Sequence, residues 1–191
     1  MLPGQNYRFT MDEVTDPQSH YLTGMNRWLE SIFPEYCPAR FDRLLSKHRH
    51  PDGRHQIQIF IGLVDDIVAG LAQIFYREWQ GGLLADIDLL GVLESFRRSG
   101  LALSLVQQSL RAAAEMAQRY QIPAIGVATL IDPNHAPIVR LHQKLAGQIR
   151  LDYQYPSGDV IAWYPLQPEY AEIATPVLGD QLQQFGQLLE V

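Results

Sequence analysis

The 191-residue chain has a single cysteine, Cys37, and no apolar run near the roughly 20 residues that a membrane-spanning helix needs. One cysteine forms neither an internal disulfide nor a cysteine-based metal site. The N-terminus lacks the basic and apolar segments of a secretory signal. A histidine-containing stretch, 48–55, is better interpreted as a solvated loop than as a metal site. We therefore expect a cytoplasmic protein without a membrane segment or a metal.

Positive charge is also scarce, since the chain has 15 Lys and Arg residues against 21 Asp and Glu residues, and its net charge is −6. This balance argues against a nucleic-acid binder and mildly favours cationic or neutral partners. The sequence contains neither Gly-x-Gly-x-x-Gly nor Gly-Lys-Ser/Thr, so the dinucleotide and P-loop fingerprints are absent. A hydrophobic content of 47% nevertheless supports a folded core, in one domain or one domain with an appendage.

Hydrophobic periodicity predicts an order of elements along the chain. The order begins with a strand (7–14), two helices (18–33 and 39–48) and three antiparallel strands (56–64, 67–76 and 83–93). It continues with a helix (100–119), a strand (124–131), a helix (132–145) and two strands (148–155 and 160–164). The strand, helix and strand over 83–131 predict a right-handed parallel β-α-β unit.

The last segment differs in composition, because it is rich in Gln and carries apolar residues at helical spacing. We predict a domain over 1–166 and a C-terminal extension, 167–191, that contains an amphipathic helix. This helix would dock on the domain or on a second copy of the chain, which would make a homodimer.

The stretch 84–106 joins a predicted strand to a helix through Phe96-Arg97-Arg98-Ser99-Gly100. A helix N-terminus presents unpaired backbone N–H groups and a partial positive charge, and Gly100 permits close approach of an anion. No acidic residue occurs from Ser95 to Ala114. The pattern fits a phosphate-binding turn and, equally well, a basic surface turn in which Ser99 caps the helix.

Residues 92–102, Val-Leu-Glu-Ser-Phe-Arg-Arg-Ser-Gly-Leu-Ala, resemble motif A of the GNAT N-acetyltransferase superfamily. Arg97, Gly100 and Ala102 fill the motif's marked places, and Ile67-Val68-Ala69-Gly70 resembles the family's third strand. The element order is similar too. The resemblance implies a mixed α/β or α+β fold: a central, mostly antiparallel seven-stranded sheet with a parallel β-α-β splay, about four flanking helices and the C-terminal helix.

The resemblance further implies that acetyl-CoA is the cosubstrate. Its pyrophosphate would lie on the turn, beside Arg97 and against the amides of Arg98, Ser99, Gly100, Leu101, Ala102 and Leu103. Its pantetheine arm would lie along Leu90, Gly91 and Val92, where the strand parts from 124–131. Asn134 stands near the place of a cofactor-binding Asn, although a strict count places His135 there.

Asp86 and Asp88 share one face of their strand with Leu90 and Val92, because side chains alternate along a strand. N-acylation needs a deprotonated amine, and a carboxylate can remove the proton directly or through water. Asp86 also matches the position of a catalytic Glu in several GNAT enzymes. We predict that Asp86, or less strongly Asp88, is the base. The alternatives are that both bind a cationic substrate or pair with Arg77.

His142 stands where the family often has a Tyr that protonates the departing thiolate. A His near its ordinary pKa could take that role, and the alternative is a packed helix residue without chemistry. The predicted function is therefore direct, ternary-complex transfer of an acetyl group from acetyl-CoA to an amine of a small molecule or peptide. The alternatives are a non-catalytic acyl-CoA sensor or scaffold, a hydroxyl or thiol acceptor, and a longer acyl group.

Overall fold

The protein is described here by a computed structural model that covers residues 8–16, 19–33, 41 and 57–187. The predicted helix over 39–48 lies outside these residues except for Phe41, which is helical and buried. The histidine-containing stretch, 48–55, also lies outside them. Within the described chain, no helix is both long and apolar enough to cross a membrane.

A seven-stranded mixed sheet is the central feature of the fold, as predicted. Its strands are β1 (Thr10–Glu13), β2 (Ile57–Val64), β3 (Ile67–Trp79), β4 (Gly82–Val92), β5 (Ala124–Ile131), β6 (Gln148–Arg150) and β7 (Val160–Pro165). The spatial order is β1-β2-β3-β4-β5-β7-β6. The β4–β5 pair is parallel, while β1–β2, β5–β7 and β6–β7 are antiparallel.

Two-residue turns make the β2–β3–β4 meander. Asp65 and Asp66 have φ angles of 48° and 62°, and Gln80 and Gly81 have φ angles of 51° and 74°. Positive φ at both central residues defines the type I′ turn, whose twist matches that of the flanking strands. Asp and Gly tolerate this conformation better than most residues, so the turn sequences select the hairpins.

Four helices occur in the described part of the chain: α1 (Leu22–Ile32), α2 (Leu101–Tyr120), α3 (Ala136–Lys144) and α4 (Thr175–Gln187). The helix α2 buries one apolar face, which includes Leu105, Val106, Ala113 and Met116. The C-terminal helix predicted from apolar spacing is α4, which buries Leu178 and Leu182. The division into a 1–166 domain and an extension stays a prediction.

The predicted strand over 148–155 is wrong beyond Arg150, where β6 ends. The following residues, 151–159, form a loop that we call the β6–β7 loop. Its backbone closes on itself, since the Tyr155 N–H donates to the Asp159 carbonyl oxygen at 2.9 Å. Asp152 accepts from the hydroxyl of Thr175 in α4. The segment that alternation predicted as strand is thus held by a turn of its own backbone and by a contact with α4.

Contacts divide the chain into two compact units, with boundaries inside β3, β4 and α2. The first contains the described residues up to Ile74 and Leu89–Ser109, and the second contains Phe75–Asp88 and the described residues from Leu110. In the first unit, Trp28 and Leu29 of α1 are buried. In the second, Ile138 and Val139 of α3 pack on a cluster of strand residues, Ile131, Val160 and Ala162.

Candidate functional site

The basic turn between β4 and α2 has an unusual backbone. Arg98 and Gly100 have φ angles of 66° and 88°, and such a conformation is uncommon for a residue with a side chain. The backbone N–H groups of five residues find no acceptor among the described residues: Arg98, Ser99, Gly100, Ala102 and Leu103. Successive unpaired N–H groups in such a turn form a concave anion-binding nest.

The charges around the turn suit an anion. Arg97, Arg98 and Gly100 are exposed, and the first turn of α2 contains no acidic residue. The Ser99 hydroxyl oxygen accepts from the Leu101 N–H at 3.3 Å, so the predicted Leu101 amide already has a partner. Ser99 thus supports the helix start as the alternative interpretation expected, while the neighbouring N–H groups are still available.

The start of α2 rests on glycines in the strands beneath it. An added Cβ atom at Gly62 would overlap the side chain of Leu101, and one at Gly70 would lie 2.9 Å from Leu101 Cδ2 and 3.1 Å from Leu105 Cδ1. Leu101 itself is buried. The two glycines make the space in which Leu101 packs, and this packing fixes the turn that precedes it.

The predicted pantetheine strand, Leu90 to Val92, forms the end of β4 in the same unit. The Leu93 N–H donates to the Ala69 carbonyl oxygen at 2.8 Å, which holds this end to β3. An added Cβ atom at Gly91 would lie 2.9 Å from Trp28 Cζ2, so α1 packs closely on it. A cavity of about 540 Å³ next to this end is lined by Ser31, Leu93, Glu94 and Ser95.

The parallel register of β4 and β5 runs from Leu83 opposite Ala124 to Asp86 opposite Ala128, with a shift between Leu83 and Leu84. Both strands continue beyond these pairs, to Val92 and Ile131. The Thr129 hydroxyl donates to the Ile87 carbonyl oxygen at 2.8 Å, just past the last pair. Asp86 therefore lies where the regular parallel pairing ends, as the predicted splay requires.

Asp86 is a buried carboxyl group, with only 7% of its surface exposed. Burial raises its pKa well above the ordinary value of 3.8, and the nearby Asp88 carboxylate raises it further. Asp88 is half-buried. Two neighbouring carboxyl groups in different environments are a common source of a base whose pKa lies nearer to neutrality.

The face of the sheet that carries Asp86 also carries aromatic groups. Register places Asp86, Ala128 and Trp163 side by side on β4, β5 and β7. The Trp163 ring occupies the space above Gly126, and its Nε1–H donates to the Tyr170 carbonyl oxygen at 3.1 Å. Asp86 and Trp163 thus share one face of the sheet, with Ala128 between them.

Tyr155 is a further residue near Asp86 that the sequence interpretation missed. It is buried, and its hydroxyl donates to the Gly179 carbonyl oxygen of α4 at 2.9 Å. Burial is the main cause of its raised pKa, and the charges of Tyr153, Asp86 and Asp180 add to it. The sequence signal that could have indicated Tyr155 is the pair Tyr153 and Tyr155, two residues apart and directly before a Pro-Ser-Gly-Asp turn.

His142 lies on α3 and is completely buried. Its Nδ1 atom is 2.5 Å from the Tyr164 hydroxyl, while its Nε2 atom has no hydrogen-bond partner. Burial lowers its pKa from 6.5 to about 4, so the imidazole is neutral at pH 7. Asn134 is exposed in the turn before α3, where its N–H donates to Asp132 Oδ1 at 2.8 Å.

Among the described residues, no group of three or more His, Cys, Asp or Glu side chains is placed to hold a metal ion.

A comparison with protein families matches residues 22–148 to the Acetyltransferase (GNAT) family. The match covers more than half of the sequence, and the chain belongs to this family. The predicted membership of the GNAT superfamily is therefore confirmed, as is the prediction of a GNAT-type acyltransferase. No curated protein matches the chain in sequence.

Several solved structures similar to the chain are acetyltransferases of low sequence identity. NAA60 of Arabidopsis thaliana in complex with acetyl-CoA is 15% identical, with a TM-score of 0.62, over 83% of this chain and 99% of that one. Arabidopsis thaliana Naa50 with the bisubstrate analogue CoA-Ac-MVNAL is 15% identical, with a TM-score of 0.58, over 81% and 96%. An aminoglycoside acetyltransferase from an uncultured soil sample, in complex with trehalose, is 13% identical, with a TM-score of 0.58, over 77% and 94%. These likenesses show the shared fold.

Proposed function

We propose that the protein is an N-acetyltransferase that moves an acetyl group from acetyl-CoA to an amine by direct transfer in a ternary complex. The observation that carries this proposal is the turn at the start of α2, where five backbone N–H groups, that of Gly100 among them, have no acceptor among the described residues and two arginines are exposed. In a chain of the GNAT family, this is the group of donors that would bind the pyrophosphate of CoA.

The other parts of the cosubstrate follow from the same assignment. The pantetheine arm would lie along Leu90, Gly91 and Val92, with the thioester carried toward the acceptor. Arg97 and Arg98 would add charge to the phosphate site, and Asn134 would contact the cofactor from the turn before α3. Holding the amine and the thioester together in one complex would supply much of the acceleration.

Asp86 would act as the base. The amine nitrogen attacks the thioester carbon, the N–C bond forms and the C–S bond breaks, and the proton of the amine passes to Asp86 directly or through a water molecule. A buried carboxylate with a raised pKa is a stronger base than an ordinary Asp. Asp88 would raise that pKa and attract the cationic form of the amine.

The departing thiolate needs one proton. The sequence placed His142 in this role, but its burial and its lowered pKa support the alternative of a packed residue hydrogen-bonded to Tyr164. As a neutral imidazole, His142 is not a strong acid at pH 7. The proton-donor role of His142 therefore stays a prediction.

The acceptor is an amine of a peptide or of a small molecule. A second NAA60 structure and the Naa50 structure contain bisubstrate analogues, which supports a peptide, while the aminoglycoside acetyltransferase supports a small molecule. A sensor that binds acyl-CoA without turnover, a hydroxyl or thiol acceptor and a longer acyl group are the alternatives. The single cysteine supports a cytoplasmic location, and a homodimer stays a prediction.

Two glycines of the chain provide a matched test of the cosubstrate site. Gly100 and Gly81 both have positive φ, at 88° and 74°, and an added Cβ atom at either would meet nothing within 4 Å. Gly100→Glu and Gly81→Glu therefore add the same charge and similar backbone strain. We expect Gly100→Glu to weaken CoA binding by at least about 100-fold, since the carboxylate takes the anion's place. Calorimetric titration with CoA measures the loss.

Gly81→Glu, in the β3–β4 turn, is expected to bind CoA like the unchanged chain. Unchanged binding in Gly100→Glu, or an equal loss in both variants, would contradict the phosphate assignment. Incubation with acetyl-CoA and a set of amines, with free thiol followed, then tests turnover. Saturable CoA binding without thiol release would favour the sensor.

A further inference from the structure

The helix α4 lies outside residues 22–148, the part of the chain that matches the family. Its contacts with the β6–β7 loop are nevertheless specific. The Thr175 hydroxyl donates to both carboxylate oxygens of Asp152, at 2.8 and 2.9 Å. Thr175 is buried, although Asp152 is exposed. A buried hydroxyl that points at a loop carboxylate anchors the loop to the first turn of α4.

A second contact joins the middle of α4 to the two tyrosines of the loop. The Tyr155 hydroxyl donates to the Gly179 carbonyl oxygen, and an added Cβ atom at Gly179 would lie 3.0 Å from the Tyr153 ring. The two tyrosine rings meet edge to face, with centroids 5.2 Å apart. Glycine at this position lets the helix approach the rings closely, so the loop, the rings and the helix form one packed group.

The register of the sheet and one hydrogen bond connect the face of Asp86 to the segment that leads into α4. Trp163 shares the face of Asp86 across the β4–β5–β7 register, and it holds the Tyr170 carbonyl oxygen just before α4 begins. The charge of Asp86 is among the influences on the Tyr155 hydroxyl. A series of contacts therefore links the Asp86 face to the β6–β7 loop. It runs from Trp163 to Tyr170, along the chain into α4, and from α4 to the loop.

We propose that α4 is a positioning element for the acceptor, in which Thr175 and Gly179 hold the β6–β7 loop so that Tyr155 bounds the acceptor side of Asp86. This inference rests on the proposed function. It assigns Thr175 and Gly179 as positioning residues, since neither touches the reacting atoms. A loop held in one conformation loses less freedom when the acceptor binds, and a loosened loop lowers the fraction of molecules ready to bind.

The test compares Thr175→Val with Thr175→Ser in the full-length chain. Valine keeps the shape of threonine but removes the hydroxyl, whereas serine keeps the donor to Asp152. With an amine that the unchanged protein acetylates, we expect Thr175→Val to raise the acceptor KM on the order of tenfold, the scale of one charge-assisted hydrogen bond. The kcat and the affinity for CoA should stay within about twofold, and Thr175→Ser should restore the KM.

Gly179→Ala separates positioning from stability. Alanine favours a helix over glycine by about 1 kcal/mol, so this change should not weaken α4 itself, while its methyl group displaces the Tyr153 ring. We expect the acceptor KM to rise although the thermal midpoint does not fall. Val177→Ala, at an exposed position of the same helix, is the control that should change neither.

An acceptor KM unchanged in both Thr175→Val and Gly179→Ala would overturn the inference and leave α4 a purely structural element. A failure of Thr175→Ser to restore the KM would overturn the role of the hydroxyl. A failure of the proposed function is recognised separately, because the unchanged protein would then release no thiol with any amine, and the inference would fall with it.

Discussion

Burial of the Asp86 side chain has opposite effects on stability and on chemistry. The sheet buries it, yet burial of a charged carboxylate is unfavourable, and Asp88 nearby increases the cost of ionisation. A structural residue at this position would more simply be apolar, like its neighbours Ala85 and Ile87. The unfavourable burial is what makes the carboxylate a better base, so the position is better explained by chemistry than by packing.

Replacing Asp86 tests this interpretation. We expect Asp86→Asn to lower kcat by roughly 100- to 10,000-fold, the contribution of a general base, while the affinity for CoA is unchanged. At neutral pH the variant should be at least as stable as the unchanged protein. The reason is that a raised pKa in the folded state costs stability as pH rises above the unfolded value near 3.8, and Asn avoids that cost. Unchanged turnover would remove Asp86 as the base.

Asp88 has its own consequence for the pH dependence of the reaction. Its negative charge raises the pKa of Asp86, so Asp88→Asn should lower that pKa and move the acidic limb of the kcat/KM profile to lower pH. Burial, the larger cause, stays in place, and the limb should therefore lie above 3.8. Asp65→Asn, at an exposed turn, changes the net charge equally and should leave the profile unmoved.

At the residue scale, the sequence could suggest Asp86 and Asp88 because strand alternation placed them on one face. It could not show that Asp86 is more deeply buried than Asp88. The same limit applies to His142, for which the resemblance to the family, where a Tyr often stands at this place, suggested chemistry. Complete burial and a hydrogen bond to Tyr164, both set by tertiary packing, support a structural role instead.

At the element scale, the turn before α2 depends on strands distant in sequence. The sequence predicted the strand, the turn and the helix, because the change from alternating to helical periodicity is local. It did not predict that Leu101 would pack into the space above Gly62 and Gly70. A glycine inside a strand often marks a close approach, but nothing local says which side chain approaches.

Filling this space should disturb the turn from beneath. The methyl group of Gly62→Ala would overlap Leu101, so we expect a loss of about 1–3 kcal/mol in the free energy of unfolding and a weaker affinity for CoA, on the order of tenfold. Urea unfolding and CoA titration measure the two effects. Leu101→Ala alone should cost about 2–5 kcal/mol through the cavity that it leaves.

The double variant Gly62→Ala with Leu101→Ala is the control. The added methyl group then fills part of the cavity, so the double variant should lose less stability than the two single variants together. Strict additivity would show that Gly62 does not act through Leu101.

At the scale of the whole molecule, the order of elements was largely predictable, since each strand and helix has a local pattern. The contacts between segments far apart in the sequence were less predictable. The sequence of the β6–β7 loop alternates like a strand up to Tyr155, but β6 ends at Arg150, and the loop is held by its own turn and by contacts with Thr175 and Gly179. The C-terminal extension, which the family match does not cover, therefore contributes contacts that hold the segment before it.

This dependence predicts the effect of removing the extension. A chain that ends at Leu166 lacks Leu178 and Leu182, both buried, and each buried leucine contributes about 1.5–3 kcal/mol. We expect the shortened chain to lose at least about 3 kcal/mol of the free energy of unfolding, measured by urea titration. Leu178→Ala in the full chain should lose about 2–5 kcal/mol, and the exposed Val177→Ala very little. Equal urea midpoints for the shortened and full chains would instead show that 1–166 is stable by itself and that α4 contributes only to the β6–β7 loop.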